Sequence, residues 1–209
     1  MKKVLLGIVG VLAILLIAFG ALTMLAPTEF AVEREVVIDK PKAEVFEYVK
    51  SLKNQQNWTV WAKKDPKSKY TYTGDDGEVG SIVAWDSEHP EVGAGEQEIK
   101  KIVDGERIDV ELRFKRPFES TSAAHTITEA VGDDKTKVKW GFSGSMPRPM
   151  NVMLLITDLE GTAGKEFEEG LGNLKTLLES QSTPAQEEKP EEDGDEADPA
   201  SKEKGSSEK

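Results

Sequence analysis

Few side chains in this chain are equipped for acid–base or nucleophilic chemistry. It has no cysteine, which excludes a thiolate nucleophile, disulfides and thiolate-ligated zinc or iron–sulfur sites. Its two histidines are His89 and His125, so a three-His metal site is impossible and Ser-His-Asp catalysis would have to use one of them. His89 stands beside Pro90 in the run SEHPEVGAG and reads as a loop residue. His125 alternates with Ala123 and Ile127, while Ser120, Ser122, Ala124, Thr126 and Thr128 form the other row of the same segment. An inward Ile127 row would make His125 an acid or base; an inward hydroxyl row would turn it outward and leave a polar interior. Glu160 has two readings. On a continuous helix it falls in the apolar stripe with Phe167, where isolation would raise its pKa, but Thr157-Asp158-Leu159-Glu160 is also a capping box. Glu111 and Arg113 alternate with Ile108, Val110 and Leu112 and are expected to face solvent; Glu166, Glu168 and Glu169 read as a solvated helix face.

Familiar catalytic signatures are missing. Gly141-Phe142-Ser143-Gly144-Ser145 ends in serine where a nucleophile elbow needs glycine, and neither a phosphate loop nor H-E-x-x-H occurs. Neither a cofactor nor a metal is expected. The residues better suited to function are aromatic: Trp58, Trp61, Tyr70, Tyr72, Trp85, Trp140 and Phe142 could wall an apolar ligand pocket or form ordinary core. Trp85 and Trp140 alternate with other apolar residues, as core bordering a cavity would. Trp58 and Trp61 follow the polar run KNQQN, which suits either a pocket wall or mouth or plain packing. Asn57-Trp58-Thr59 also satisfies the glycosylation sequon, a minor reading on three residues.

The elements that must position these residues follow from periodicity. Phe30, Val32, Val36 and Ile38 recur at even spacing, which predicts a strand with one wet face; residues 39–41 then supply a helix start, with Asp39 accepting from free N–H groups. Val45, Phe46 and Val49 give that helix its stripe. Strands are expected over residues 70–73, 81–85, 95–103, 107–115, 119–130 and 136–143. Tight reversals at Gly74-Asp75-Asp76-Gly77, Asp104-Gly105 and Gly132-Asp133-Asp134 make them an antiparallel meander. Residues 149–178 carry helical spacing, clearest at Phe167, Leu171, Leu174 and Leu178. Together these predict an α+β arrangement in which a sheet wraps one C-terminal helix.

Two attachments flank this domain. Residues 4–25 carry no charge and one polar side chain, Thr23. As a helix they reach about 33 Å, enough to cross a bilayer and longer than the apolar run of a cleaved signal. Lys2 and Lys3 precede the run and no Lys or Arg follows until Arg34, which predicts a single-pass anchor in the cell membrane, N-terminus cytoplasmic and domain extracytoplasmic. Residues 181–209 hold ten acids and four lysines with no aliphatic side chain larger than alanine, a composition that reads as a disordered acidic tail. The organisation expected is thus an anchor over 1–28, a domain over 29–180 and a tail over 181–209, with the two ends dispensable to the core. The formal charge of −12 speaks against a nucleic-acid partner.

The segments PKAEVF (41–46), NWTVW (57–61), GSIVAW (80–85), PFES (117–120) and GKEFEEGL (164–171) resemble the START-like SRPBCC superfamily. The nearest likeness is to its bacterial polyketide cyclase/dehydrase-like branch, including members with an N-terminal anchor. The resemblance implies a helix-grip fold, a curved antiparallel sheet around a long C-terminal helix with an apolar cavity between them. It also implies lipids or other small hydrophobic molecules as partners, and it transfers no catalytic set. The function expected is a monomeric, membrane-anchored domain that binds a small hydrophobic ligand through Trp58, Trp61, Tyr72, Trp85, Trp140 and Phe142. The alternatives are a cyclase/dehydrase-like enzyme using Glu160 or His125, and a protein-binding module.

Overall fold

In a computed structural model the described residues are 2–181; the acidic tail expected from the sequence lies outside them, apart from Gln181. Helix α1 (Lys2–Leu25) precedes strand β1 (Glu29–Ile38), helix α2 (Lys42–Lys50), a 3-10 turn (Asn54–Asn57) and the short helix α3 (Val60–Lys64). Six further strands follow, β2 (Lys69–Thr73), β3 (Ile82–Asp86), β4 (Ala94–Val103), β5 (Arg107–Arg116), β6 (Ser120–Ala130) and β7 (Thr136–Ser145). A 3-10 turn (Met150–Val152), the single turn α4 (Met153–Ile156) and the long helix α5 (Leu159–Ser180) complete the described chain.

The strands form one antiparallel sheet in the order β1-β7-β6-β5-β4-β3-β2, so the first strand closes back on the last. Two register shifts in the β4–β5 ladder, at Ala94/Gly95 and between Ile99 and Lys101, accentuate its curl. The concave face carries the alternating apolar rows read from the sequence, Val32, Ile99, Ile108, Val110, Val138 and Trp140 among them, and α5 lies in it through Phe167, Leu171, Leu174 and Leu178. Two helix glycines lie where the helix approaches its neighbours most closely. A β-carbon on Gly164 would fall 2.2 Å from the Arg34 guanidinium, and one on Gly170 would fall 3.0 Å from the Trp140 ring. Helix α2 adds Val45, Phe46 and Val49 to the same core. This is the helix-grip α+β architecture.

Local details depart from the sequence expectations at both helix starts. Asp39 does not cap α2: Pro41 holds the N-cap position without a side-chain bond, while the Asp39 carboxylate meets Lys135 at 2.7 Å and its N–H donates to Glu179. Residues 149–178 are not one continuous helix: Thr157 is extended (φ −102°, ψ 127°) and α5 restarts behind it, the restart that the capping-box reading requires. The cap is Asp158, whose carboxylate accepts from the Gly161 N–H at 2.9 Å; the Thr157 hydroxyl instead donates back to the Met153 carbonyl. The apparent Thr157–Glu160 box is therefore displaced by one residue.

The end of α1 is bonded to the domain. A helix terminates in carbonyls that lack intrahelical partners, and here the fully buried Asn151 side-chain amide donates to Thr23 O (2.8 Å) and Ala26 O (3.0 Å). Arg148 Nε also reaches Thr23 O at 3.0 Å, and Thr23 and Ala26 are themselves buried. The hydrophobic pattern alone treats this segment as dispensable to the core; the hydrogen bonds make its last turn part of the domain's packing. Among the described residues α1 is the one helix long and apolar enough to cross a membrane.

Candidate functional site

Between the concave face and α5 lies a cavity of about 330 Å³. Strand alternation delivers its floor: Val83 and Trp85 from β3, Gln97 from β4, Leu112 and Phe114 from β5, Ala124 from β6, and Trp140 and Phe142 from β7. Leu159, Ala163 and Phe167, one helical face of α5, supply the roof with Trp61 of α3. The rings brace one another. Trp140 stacks on Phe167 (4.2 Å, 12°), Trp61 stands edge-on to both at 5.7 and 5.9 Å, and Trp85 stands edge-on to Phe114 at 5.9 Å. Such pairs add about 0.5–1.5 kcal/mol each beyond buried area, so the wall is preorganised.

Polar groups reach the cavity at few points. Gln97 Nε2 donates to Gln55 Oε1 at 2.6 Å, which joins the two side-chain amides. Lys64, at the end of α3, bridges Glu166 on α5 and Glu91 in the β3–β4 loop, the latter at 2.9 Å. Partial burial works against the Lys64 ammonium, yet its hydrogen bonds to Glu166 and Glu91 prevail and raise its pKa above the usual lysine range. The same hydrogen bond holds Glu91 below the usual carboxylate range. Two further bonds fasten this loop: Ser87 Oγ donates to Asp65 at 2.5 Å and Trp85 Nε1 to the Val92 carbonyl at 3.2 Å. Tyr70, on the wall, has its pKa raised by burial. The arrangement is an apolar chamber with one amide pair and a charged strap of one cation between two carboxylates. Among the described residues no three His, Asp or Glu side chains gather as a metal site would require.

Of the aromatic residues singled out in the sequence, Trp61, Trp85, Trp140 and Phe142 line the cavity. Trp58 does not: at 1 % exposure it is core, edge-on to Trp140 at 4.7 Å, with its backbone carbonyl accepting from Asn173. Tyr72 is exposed near the end of β2 with Lys53 over its ring, and Tyr70, two residues earlier, takes the wall position. Neither catalytic candidate reaches the cavity. The Glu160 side chain is 74 % exposed and lies 3.9 Å from Arg34, so it is neither the isolated acid nor the capping group. In β6 the row Ser122, Thr126 and Thr128 is buried, which turns His125 to the outer face, where Nε2 lies 2.6 Å from Glu33. Glu111 and Arg113 belong to a half-exposed ion network with Glu96 and Glu98. The strap of Lys64, Glu91 and Glu166 was not legible, since its members are separated by up to 102 residues and the two carboxylates sit in ordinary acidic surroundings.

The profile of the family described as polyketide cyclase / dehydrase and lipid transport matches residues 29–179. Among solved structures, norcoclaurine synthase from Thalictrum flavum, in complex with dopamine and hydroxybenzaldehyde, superposes with a TM-score of 0.55 at 12% identity, covering 77% of this chain and 93% of its own. A protein from Mesorhizobium loti gives 0.54 at 14% identity over 74% of this chain and all of its own (100%). The Aha1 dimer from Colwellia psychrerythraea gives 0.50 at 14% identity over 72% and 97%. At these identities the likeness is one of fold. No curated protein matches the chain in sequence.

Proposed function

The chain belongs to the polyketide cyclase / dehydrase and lipid transport family, and from that premise we propose that it is a membrane-anchored, monomeric domain that holds one small hydrophobic molecule between its sheet and α5. The observation that carries this reading is the aromatic chamber of about 330 Å³, whose volume falls at the small end of typical small-molecule sites. Desolvation of the ligand against Trp61, Trp85, Trp140, Phe142 and Phe167 supplies the affinity, and the Gln55–Gln97 pair offers one donor–acceptor couple to a polar end. The charged groups nearest the chamber favour holding over catalysis, because Glu91 and Glu166 are both engaged by Lys64.

Helix α1 is the anchor in this reading, with Lys2 and Lys3 on the cytoplasmic side and the domain outside. Native mass spectrometry of the detergent-purified full chain is the decisive experiment. A co-purifying hydrophobic species at one per chain, displaceable by a fluorescent acyl probe, is expected. A chain that carries nothing and leaves the probe's emission unchanged would sink the binding function. Protease added to intact spheroplasts should digest the domain; protection until the membrane is breached would reverse the orientation.

A further inference from the structure

The strand register places several features at one end of the sheet. Glu29 at the start of β1 pairs with Ser145 at the end of β7, Gly144 pairs with Ser122 near the start of β6, and Ser120 pairs with Phe114 near the end of β5. The exit of α1, the β5–β6 turn and residues 146–158 therefore share that end, and so does the β3–β4 loop, since Ala94 pairs with both Asp86 and Arg116. This end carries apolar side chains that the fold leaves uncovered. Met150, Met153, Leu155 and Ile156 are exposed, Ile156 to 72%, and Phe118 in the β5–β6 turn to 76%. At the opposite end Ile38 and Thr136 are fully buried, and the apolar side chains left exposed there, Val37 and Val131, are smaller.

The exposed segment is fixed at both of its own ends. Asn151 and Arg148 hold it against the last turn of α1, and Leu159, three residues beyond Ile156, is already part of the cavity wall. We infer that Met150, Met153, Leu155, Ile156 and Phe118 insert into the interfacial layer of the bilayer that α1 crosses, so that the cavity end of the domain is held on the membrane surface and exchanges its ligand with it. This rests on α1 being a membrane span. The occupant is the bilayer because the patch is continuous with the span that enters it, and a one-turn helix with three exposed apolar side chains, preceded by exposed Met150, gains by leaving water. Asp158, Glu160 and Glu119 flank the patch together with Arg148 and Arg116, so neither sign of charge dominates and insertion into a zwitterionic bilayer is apolar and insensitive to salt.

The absence of native cysteine allows single labels on the full chain. Ile156→Cys, Phe118→Cys, Ile14→Cys and Asp133→Cys would each carry an environment-sensitive fluorophore, the last at the opposite end of the sheet, in phosphatidylcholine vesicles containing nitroxide-labelled lipid. Headgroup-level nitroxide is expected to remove most of the emission at 156 and 118 and little at 133, equally at low and high salt, while a mid-chain nitroxide quenches position 14. Quenching at 14 without quenching at 156 and 118 would overturn the surface contact and leave the anchor standing. A label at 14 that no lipid quenches would overturn the anchor and, with it, this inference. A blue-shifted but unquenched label at 156 would assign the patch to a second copy of the chain and overturn it likewise. A thermal melt matching the parent chain establishes that each labelled variant is folded.

Discussion

Asn151 donates its side-chain amide to the main-chain carbonyl of Thr23 at 2.8 Å, so a residue of the domain caps the last turn of the apolar helix. Asn151 is fully buried, and its second amide hydrogen serves Ala26. In Asn151→Ala both carbonyls lose that donor, a change worth about 1–3 kcal/mol. The full chain in detergent should melt several degrees lower and be cut faster by protease around residues 26–28. Unchanged melting and cleavage would show that the Asn151 bonds do not couple the span to the domain.

The start of α5 offers a comparison between neighbours. Asp158 caps the helix by accepting from Gly161 N–H, whereas Thr157 donates to Met153. Asp158→Ala is expected to cost about 1 kcal/mol and Thr157→Ala no more than about 0.5 kcal/mol. Chemical denaturation of both variants decides it, and the reverse order would restore Thr157 as the cap.

That displacement illustrates what the sequence could and could not reveal. Strands were legible because Ile108, Val110, Leu112 and Phe114, or Val138, Trp140 and Phe142, alternate against polar neighbours, and each such row faces α5. The C-terminal helix was legible from Phe167, Leu171, Leu174 and Leu178, and its restart from the capping box at Thr157–Glu160, but which residue caps it depends on the extended backbone at Thr157, which no side-chain period encodes. Trp58 and Trp61 are equally apolar in sequence; their separation into core and wall follows from Trp58 meeting Trp140 and Asn173 just before α3 turns Trp61 towards Phe167. Tyr70 and Tyr72 share a face of β2, and only position along the strand decides which one the cavity reaches.

Filling the chamber should separate binding from folding. Ala124 is half-buried on the cavity floor, opposite Phe142 across the β6–β7 ladder. Ala124→Phe projects a ring into empty space, at an overpacking cost of about 1–3 kcal/mol. Probe affinity is expected to fall by about tenfold or more, equivalent to about 1.4 kcal/mol of lost binding, while the cooperative melt persists. Undiminished affinity in a folded variant would move the ligand elsewhere.

The two titratable residues that drew attention in the sequence should be dispensable. Glu160 and His125 make their contacts outside the cavity, Glu160 an ion pair with Arg34 and His125 a hydrogen bond with Glu33. Glu160→Gln and His125→Ala are each expected to shift stability by no more than about 1 kcal/mol and probe affinity within error. A marked loss of binding or turnover in either variant would return that residue to the site.

The strap across the cavity gives ligand exchange a defined pH profile. Glu91 is held below its ordinary 4.5 by its hydrogen bond to Lys64, so its contribution is fully present above 4.5 and is lost as pH falls through the lowered value. Lys64 is raised above 10.5, burial being outweighed by its bonds to Glu166 and Glu91, so its contribution is present below 10.5 and is lost as pH rises beyond that. Asp65, which accepts from Ser87 on the same loop, is also lowered and acts on the acid side. Release of a fluorescent acyl probe into acceptor vesicles should therefore be level across neutral pH and accelerate in acid below 4.5 and in alkali above 10.5. Glu91→Gln removes one charge from the strap and should already release quickly at pH 7, with a smaller further rise in acid. Tryptophan emission recorded in parallel distinguishes an opened strap, which leaves the Trp140–Phe167 stack intact, from acid unfolding, which does not. An acid rise centred above 4.5, or a Glu91→Gln profile identical to that of the parent chain, would show that the Lys64 bridge does not gate the chamber.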